Sequence, residues 1–103
     1  MELNCKNNKG TPFDDLNTLN DNYKLEVLDC RSCHLETLPK DFAKSMTGLR
    51  ILDLTNNRII SVEHVKYLDK LNAISIASNR LDDYGVSLSA LKTCKLLEEV
   101  DLR

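Results

Sequence analysis

The residues with the most chemical potential in this sequence are Cys30, Cys33 and His34. They form the string Cys-x-x-Cys-His, which is the spacing of covalent c-type haem attachment. The same two cysteines have the spacing of a dithiol redox pair, or of half a structural zinc site. Whether any of this chemistry is available depends on the elements that position the three side chains.

These residues lie within one copy of a pattern that occurs three times. Apolar residues, or cysteine in their place, recur at the first, fourth, sixth and eleventh positions of the pattern, and Asn or Cys stands at the ninth. The full copies begin at Leu25, Leu49 and Leu71. Partial copies lie around Leu3 and from Leu97 onward. Such internal repetition predicts one supersecondary unit stacked several times, with five strands in one sheet.

The pattern resembles the signature of the leucine-rich-repeat family over nearly the whole chain. The resemblance implies an α/β fold: a right-handed solenoid with a concave parallel β-sheet and a convex side of short α or 3₁₀ helices. We expect one domain, 1–103, with a partial repeat over 1–24, repeats over 25–48, 49–70 and 71–96, and a partial repeat over 97–103. The family resemblance also implies that the sheet binds other proteins.

The convex segments between the strands differ in length and pattern. Val62, Val65, Leu68 and Leu71 recur every three residues, which predicts a 3₁₀ or short α-helical segment. After Asp82-Asp83-Tyr84-Gly85, we expect a helix from Ser87 to about Leu96, with Leu88, Leu91 and Cys94 facing inward. For residues 6–23 we predict a degenerate first repeat. The alternative is a flexible, polar N-terminal arm.

The repeat register argues against haem, zinc and redox chemistry. It places Cys30 in the core, Cys33 at the ninth position and His34 toward solvent. A zinc site needs four ligands, and the other cysteines, Cys5 and Cys94, belong to distant repeats. The sequence contains no glycine-rich phosphate loop and no nucleophile elbow. We therefore predict no cofactor, no metal and no enzymatic activity.

Asparagine at the ninth position predicts a structural ladder. A side-chain amide both donates and accepts, so it can satisfy backbone groups that leave the strand without a partner. We expect Asn8, Asn57 and Asn79 to form this ladder, with Cys33 replacing one member.

The solvent-facing strand positions form the predicted binding surface. One column reads Val27, Ile51, Ala73, and the next reads Asn4, Asp29, Asp53, Ser75, Asp101. We expect a protein partner at the residues of these columns and their margins, namely Val27, Asp29, Arg31, Arg50, Ile51, Asp53, Thr55, Ala73 and Ser75. Like charges on neighbouring strands predict a partner that carries Lys or Arg. The alternative is that Val and Ile are present for β propensity and Asp for solubility.

A second, basic stripe follows at the tenth position of the repeats. It consists of Lys9, His34, Arg58 and Arg80. Such a ridge fits an acidic protein segment or a phosphate backbone. The net charge of −2 argues against a general nucleic-acid binder, and single-stranded RNA would need exposed aromatic rings for stacking. Nucleic acid is therefore not the expected partner.

The remaining features concern the cellular compartment and the two ends of the sequence. The sequence shows neither a membrane-spanning apolar run nor a secretory signal, and its thiols suit a reducing environment, so we expect an intracellular protein, cytoplasmic or nuclear. The final strand has no recognisable cap, which predicts a fragment of a longer array and possible self-association through the termini. The function predicted is a scaffold or adaptor. The alternatives are a regulatory subunit of a phosphatase or small-GTPase system and a ribonucleoprotein component.

Overall fold

A computed structural model describes residues 2–4, 25–36, 44, 46–82 and 84–102, with the backbone alone at 2–4 and 84. Its five short strands are β1 (Glu2–Asn4), β2 (Val27–Asp29), β3 (Ile51–Asp53), β4 (Ala73–Ser75) and β5 (Glu99–Asp101). They form one parallel sheet in the order β1-β2-β3-β4-β5. Each strand pairs with its neighbours in sequence, as a solenoid requires.

The sheet register follows the repeated pattern. Leu28 pairs with Leu52, Leu52 with Ile74, and Ile74 with Val100. Side chains alternate across a strand, so these central residues point to one side and their flanking neighbours to the other. Leu28, Leu52 and Ile74 are buried accordingly. The α/β leucine-rich-repeat architecture predicted from the sequence is confirmed.

Among the described residues, the buried apolar side chains form one hydrophobic core behind the sheet. The pattern residues contribute most of it, and several have no exposed surface at all: Leu28, Cys30, Cys33, Leu49, Leu54, Ile59 and Leu71. No repeat buries these side chains alone, because each packs against the equivalent residues of the next turn. The predicted inward positions at the first, fourth, sixth and eleventh places are buried in the described full repeats, except for the half-buried Leu81.

The convex side of the second full repeat is a 3₁₀ helix, Glu63–Tyr67. Val62, Val65, Leu68 and Leu71, the residues with the three-residue period, are all fully buried. Three residues per turn place such side chains on one face. Of the two predicted possibilities, a 3₁₀ or a short α-helical segment, the structure has the 3₁₀ helix. Residues 6–23, predicted as a degenerate first repeat or a polar arm, lie outside the described residues.

The convex side of the next repeat is an α-helix, α1, over Tyr84–Lys92. It begins three residues before the predicted start at Ser87 and ends before Leu96. The prediction that Leu88 faces inward is wrong, since Leu88 is 41% exposed, while Ser87 is buried. The inward face of the helix consists of Ser87, Ala90 and Leu91, and the buried Cys94 lies two residues beyond the helix end. The Ser87 hydroxyl accepts a hydrogen bond from the Val62 N–H at 3.2 Å.

Candidate protein-binding surfaces

The open face of the sheet presents an apolar column one residue wide. Val27, Ile51, Ala73 and Glu99 occupy equivalent positions on β2 to β5. Ile51 is 43% exposed although it lies on the central strand, and Val27 and Ala73 are half-buried. The column is therefore apolar on β2 to β4 and acidic on β5, at Glu99. Glu99 was not among the residues predicted for this surface. The repeat register that places Ala73 on the open face of the sheet also places Glu99 there.

The adjacent column carries the two carboxylates of Asp29 and Asp53, and Arg31 lies between them. The Arg31 guanidinium donates to Asp29 through Nε at 2.9 Å and Nη2 at 2.8 Å, and its Nε lies 3.5 Å from Asp53 Oδ2. The hydrogen bonds that Arg31 donates to Asp29, together with the negative charge of Asp29, raise the pKa of Arg31. The repulsion expected between these aspartates is thus offset by a cation of the same chain.

Both aspartates also stabilise the end of their own strand. Asp29 Oδ1 accepts the Arg31 N–H at 3.2 Å, and Asp53 Oδ1 accepts the Thr55 N–H at 3.0 Å. An acidic side chain that bonds the backbone two residues later forms an Asx turn. The Thr55 and Ser75 hydroxyls lie 2.6 Å apart and share a hydrogen bond between the turn after β3 and the end of β4. This polar column therefore has a structural role, in addition to any partner it binds.

A shallow groove of about 360 Å³ lies on the sheet between β3 and β5. Ile51 and Ala73 line its apolar part, and Asp53, Glu99 and Asp101 line its acidic part. The groove therefore extends from the predicted partner-binding residues of β3 and β4 to β5. Arg50, also predicted as a partner residue, is exposed at the start of β3, and its carbonyl accepts the N–H groups of Asn72 and Ala73.

The asparagines at the ninth position bind adjacent turns together. Asn57 Oδ1 accepts the N–H groups of Cys33 at 2.9 Å and Leu35 at 3.0 Å, and its Nδ2 donates to the carbonyls of Cys30 and Leu54. Asn79 forms a similar set of bonds one turn later, accepting the Ile59 N–H and donating to the carbonyls of Leu54 and Ile76. These hydrogen bonds connect adjacent turns, as an asparagine ladder would. Asn8 lies outside the described residues.

The turns after the strands adopt the left-handed backbone conformation at equivalent positions. The φ angle is 58° at Ser32, 58° at Asn56 and 57° at Ser78. This conformation costs roughly 1–2 kcal/mol per non-glycine residue. Hydrogen bonds between repeats offset this cost: the Ser32 N–H donates to the Thr55 carbonyl, and the Asn56 N–H donates to the Ala77 carbonyl. The turns carry His34, Arg58 and Arg80 to the rim, where all three are exposed. Lys9 lies outside the described residues.

The Cys-x-x-Cys-His string is divided between the core and the surface. Cys30 and Cys33 are fully buried, whereas His34 is exposed with a φ of 60°. The Cys33 thiol lies 3.5 Å from the Arg31 carbonyl, to which it donates. No group of three or more metal-binding side chains occurs among the described residues. Desolvation raises the pKa of the third described cysteine, Cys94, which also donates to the Val65 carbonyl.

The repeats, the parallel sheet and the asparagine bonds define a leucine-rich-repeat solenoid. The leucine-rich-repeat family model matches residues 23–81, and this chain belongs to that family. It is 33% identical over 79 residues to the septation initiation network scaffold protein cdc11 of Schizosaccharomyces pombe, covering 77% of this chain and 8% of that protein. It is 34% identical over 80 residues to receptor-like protein 7 of Arabidopsis thaliana, covering 76% of this chain and 8% of that protein.

A third relative is an uncharacterized leucine-rich-repeat-containing protein of S. pombe. It is 32% identical over 74 residues, which cover 67% of this chain and 12% of that protein. The chain thus spans a small part of each of these relatives. Among the described residues, no helix is long and apolar enough to cross a membrane.

Proposed function

We propose that this module binds a protein partner on the open face of its sheet and acts as a scaffold or adaptor without catalysis. The observation that carries the proposal is the exposure of Ile51 on the central strand, between Val27 and Ala73. Burying this side chain on a partner contributes about 1.5–3 kcal/mol. The scaffold named among the relatives supports the same class of function.

The charges of the sheet favour a partner that is apolar at the centre and basic toward β5. Arg31 already pairs with Asp29 and Asp53. The carboxylate of the exposed Glu99 borders the groove that Ile51 lines, and the described residues lining this groove include no Lys or Arg. A Lys or Arg of the partner would therefore lie nearer to β5 than to β2, and would set orientation and association rate.

The test is quantitative affinity capture from cells with a matched pair of variants. Ile51→Asp places a charge on the proposed surface, and Ile60→Asp places one at a similarly exposed isoleucine, 49% exposed, outside the sheet. We expect Ile51→Asp to abolish capture of partners that the wild type and Ile60→Asp both retain, with unchanged circular dichroism for both. Equal capture by all three forms would show that the partner binds elsewhere.

Two alternative functions depend on which partner is captured. A phosphatase or small-GTPase component would identify the chain as a regulatory subunit, and an RNA-binding protein would identify it as a ribonucleoprotein component. Location is proposed to be intracellular, in the cytoplasm or nucleus, because the thiols of Cys30, Cys33 and Cys94 are buried and not in disulfides.

Self-association is a second candidate interaction. Strand β5 forms the edge of the described sheet, and Val100 and Leu102 are 43% and 40% exposed. Exposed edge strands pair with other chains. Sedimentation equilibrium of the 103-residue chain tests this: we expect a concentration-dependent dimer that Val100→Lys disrupts. A monomer at all concentrations would contradict it.

A further inference from the structure

A polar groove of about 540 Å³ runs along the rim, where three successive turns leave the sheet. It is lined by Ser32, His34, Asn56, Arg58, Ser78 and Arg80, together with Asn57 and Asn79 of the asparagine ladder. None of the described residues lining it is acidic. Two guanidinium groups thus give this groove a positive charge on a chain whose net charge is −2.

The two arginines are available to a ligand. Arg58 and Arg80 are exposed, and neither forms an ion pair with any carboxylate in the described part of the chain. Arg31 differs, since Asp29 and Asp53 hold its guanidinium. The backbone under both arginines is fixed, because the Arg58 N–H donates to Leu35 at 2.7 Å and the Arg80 N–H donates to Ile59 at 3.0 Å.

The repeat sets the spacing of these groups. Arg58 and Arg80 occupy equivalent positions in adjacent turns, and adjacent parallel strands lie about 4.8 Å apart. This spacing allows two guanidinium groups to reach one tetrahedral dianion from two sides, each through paired N–H donors. The hydroxyls of Ser32 and Ser78 lie in the same groove, and Asn56 Nδ2 donates to Ser32 Oγ at 2.9 Å. A carboxylate has a single negative charge, so it would interact less strongly with the two guanidinium groups.

We propose that the rim groove binds a phosphorylated serine or threonine in an extended segment of a protein partner. Arg58 and Arg80 bind the phosphate oxygens, and Ser32, Asn56 and Ser78 bind the polar backbone beside it. The proposal is independent of the open sheet face, because none of the groove residues belongs to a strand.

A protein phosphate suits this groove better than RNA. Tyr67 is the only Phe, Tyr or Trp side chain in the described part of the chain, and it stacks with His64 on the convex 3₁₀ helix, away from the rim. Single-stranded RNA gains much of its affinity from stacking on such rings. The groove offers only charge and hydrogen bonds.

The experiment measures fluorescence anisotropy of a short labelled glycine–alanine peptide that carries one phosphoserine. At low ionic strength we expect binding at least about tenfold tighter than that of the unphosphorylated peptide. Arg58→Ala and Arg80→Ala should each weaken binding about tenfold. Lys95→Ala, which removes the same charge from an exposed turn outside the groove, should change it less than about twofold. Added salt should weaken the interaction.

Circular dichroism of each variant separates loss of binding from loss of fold, and the charge-retaining Arg58→Lys variant should recover part of the affinity. Ile51→Asp should leave phosphopeptide binding intact, whether or not it loses the partner of the sheet face. The proposal is overturned if both peptides bind alike, or if the two arginine variants bind like the wild type. It is also overturned if inorganic phosphate competes as strongly as the phosphopeptide, or if an oligouridylate binds more tightly at the same arginines.

Discussion

The side-chain oxygen of Asn57 lies 2.9 Å from the backbone nitrogen of Cys33, which precedes it by 24 residues. This one contact joins two successive turns of the solenoid at the point where each leaves the sheet. The same oxygen also accepts the Leu35 N–H, so one carboxamide satisfies two backbone donors of the preceding turn. Its nitrogen meanwhile donates to one carbonyl of the preceding turn and to two carbonyls of its own turn.

Asn57→Ala should therefore lower the free energy of unfolding by at least about 2 kcal/mol, because several buried groups lose their partner at about 1–3 kcal/mol each. Urea denaturation measures the change. The control is Asn72→Ala, whose amide donates to Leu96 at an exposed site and whose loss should cost about 0.5 kcal/mol or less. Equal effects of the two variants would contradict the structural importance assigned to Asn57.

Leu54→Ala should create a cavity behind the central strand. Leu54 has no exposed surface, and truncation of such a leucine costs about 2–5 kcal/mol. Ile60→Ala is the matched control, because Ile60 is 49% exposed. A change below about 0.5 kcal/mol for Leu54→Ala in chemical denaturation would mean that the core assignment at this position is incorrect.

Arg31→Gln should destabilise the sheet most at low ionic strength. The substitution removes the cation between Asp29 and Asp53 and leaves two carboxylates on adjacent strands. Thermal unfolding at low and high salt measures the difference, which should shrink as salt screens the repulsion. Arg50→Gln removes the same charge from an exposed site at the start of β3, and its effect on unfolding should be smaller. A salt-independent loss for Arg31→Gln would indicate that packing, rather than charge, is responsible.

The thiol of Cys94 should make stability fall at alkaline pH. Burial raises its pKa above the ordinary value of 9.0, so the folded chain keeps a proton that the unfolded chain releases. Stability is then constant below about pH 9 and declines as the pH rises toward the folded-state pKa. Urea midpoints across this range should drop in the wild type and drop less in Cys94→Ala. Alkylation mapped by mass spectrometry should also find Cys94 protected in native protein; rapid native modification would contradict its burial.

The repeat architecture could be read from sequence because it depends on side-chain type at fixed spacing. Leu28, Leu52 and Ile74 lie in register on three strands, as their common position in the pattern predicted. The three-residue period of Val62, Val65 and Leu68 likewise predicted a short 3₁₀ or α-helical segment, and the structure has a 3₁₀ helix there. In both places the hydrophobic effect alone determines which side faces the core.

The orientation of α1 could not be read in the same way. The apolar side chains suggested Leu88 as a core residue, but the buried residue is Ser87, whose hydroxyl accepts the Val62 N–H from the neighbouring turn. A buried hydroxyl is tolerated because that hydrogen bond replaces water. Its partner lies 25 residues earlier, so no local pattern indicates it.

The sheet surface shows a similar limit for charged residues. Asp29, Asp53 and Arg31 were each predicted to face solvent and a partner, and the columns in which they stand follow from the repeat register. Their mutual pairing depends on side-chain conformation, since the Arg31 guanidinium binds Asp29, two residues earlier, and also approaches Asp53. Sequence identifies such positions but leaves open whether their charges are already satisfied within the chain.

The order β1-β2-β3-β4-β5 has a consequence for how the chain folds. Every strand pairs with the next strand in sequence, so closing each pair requires a loop of one repeat and never a loop across the whole chain. The entropy of loop closure grows with the logarithm of loop length, so each added turn costs about as much as the one before it. We therefore expect folding to begin with one adjacent pair and to spread outward strand by strand, with similar barriers to growth toward either side of the nucleus.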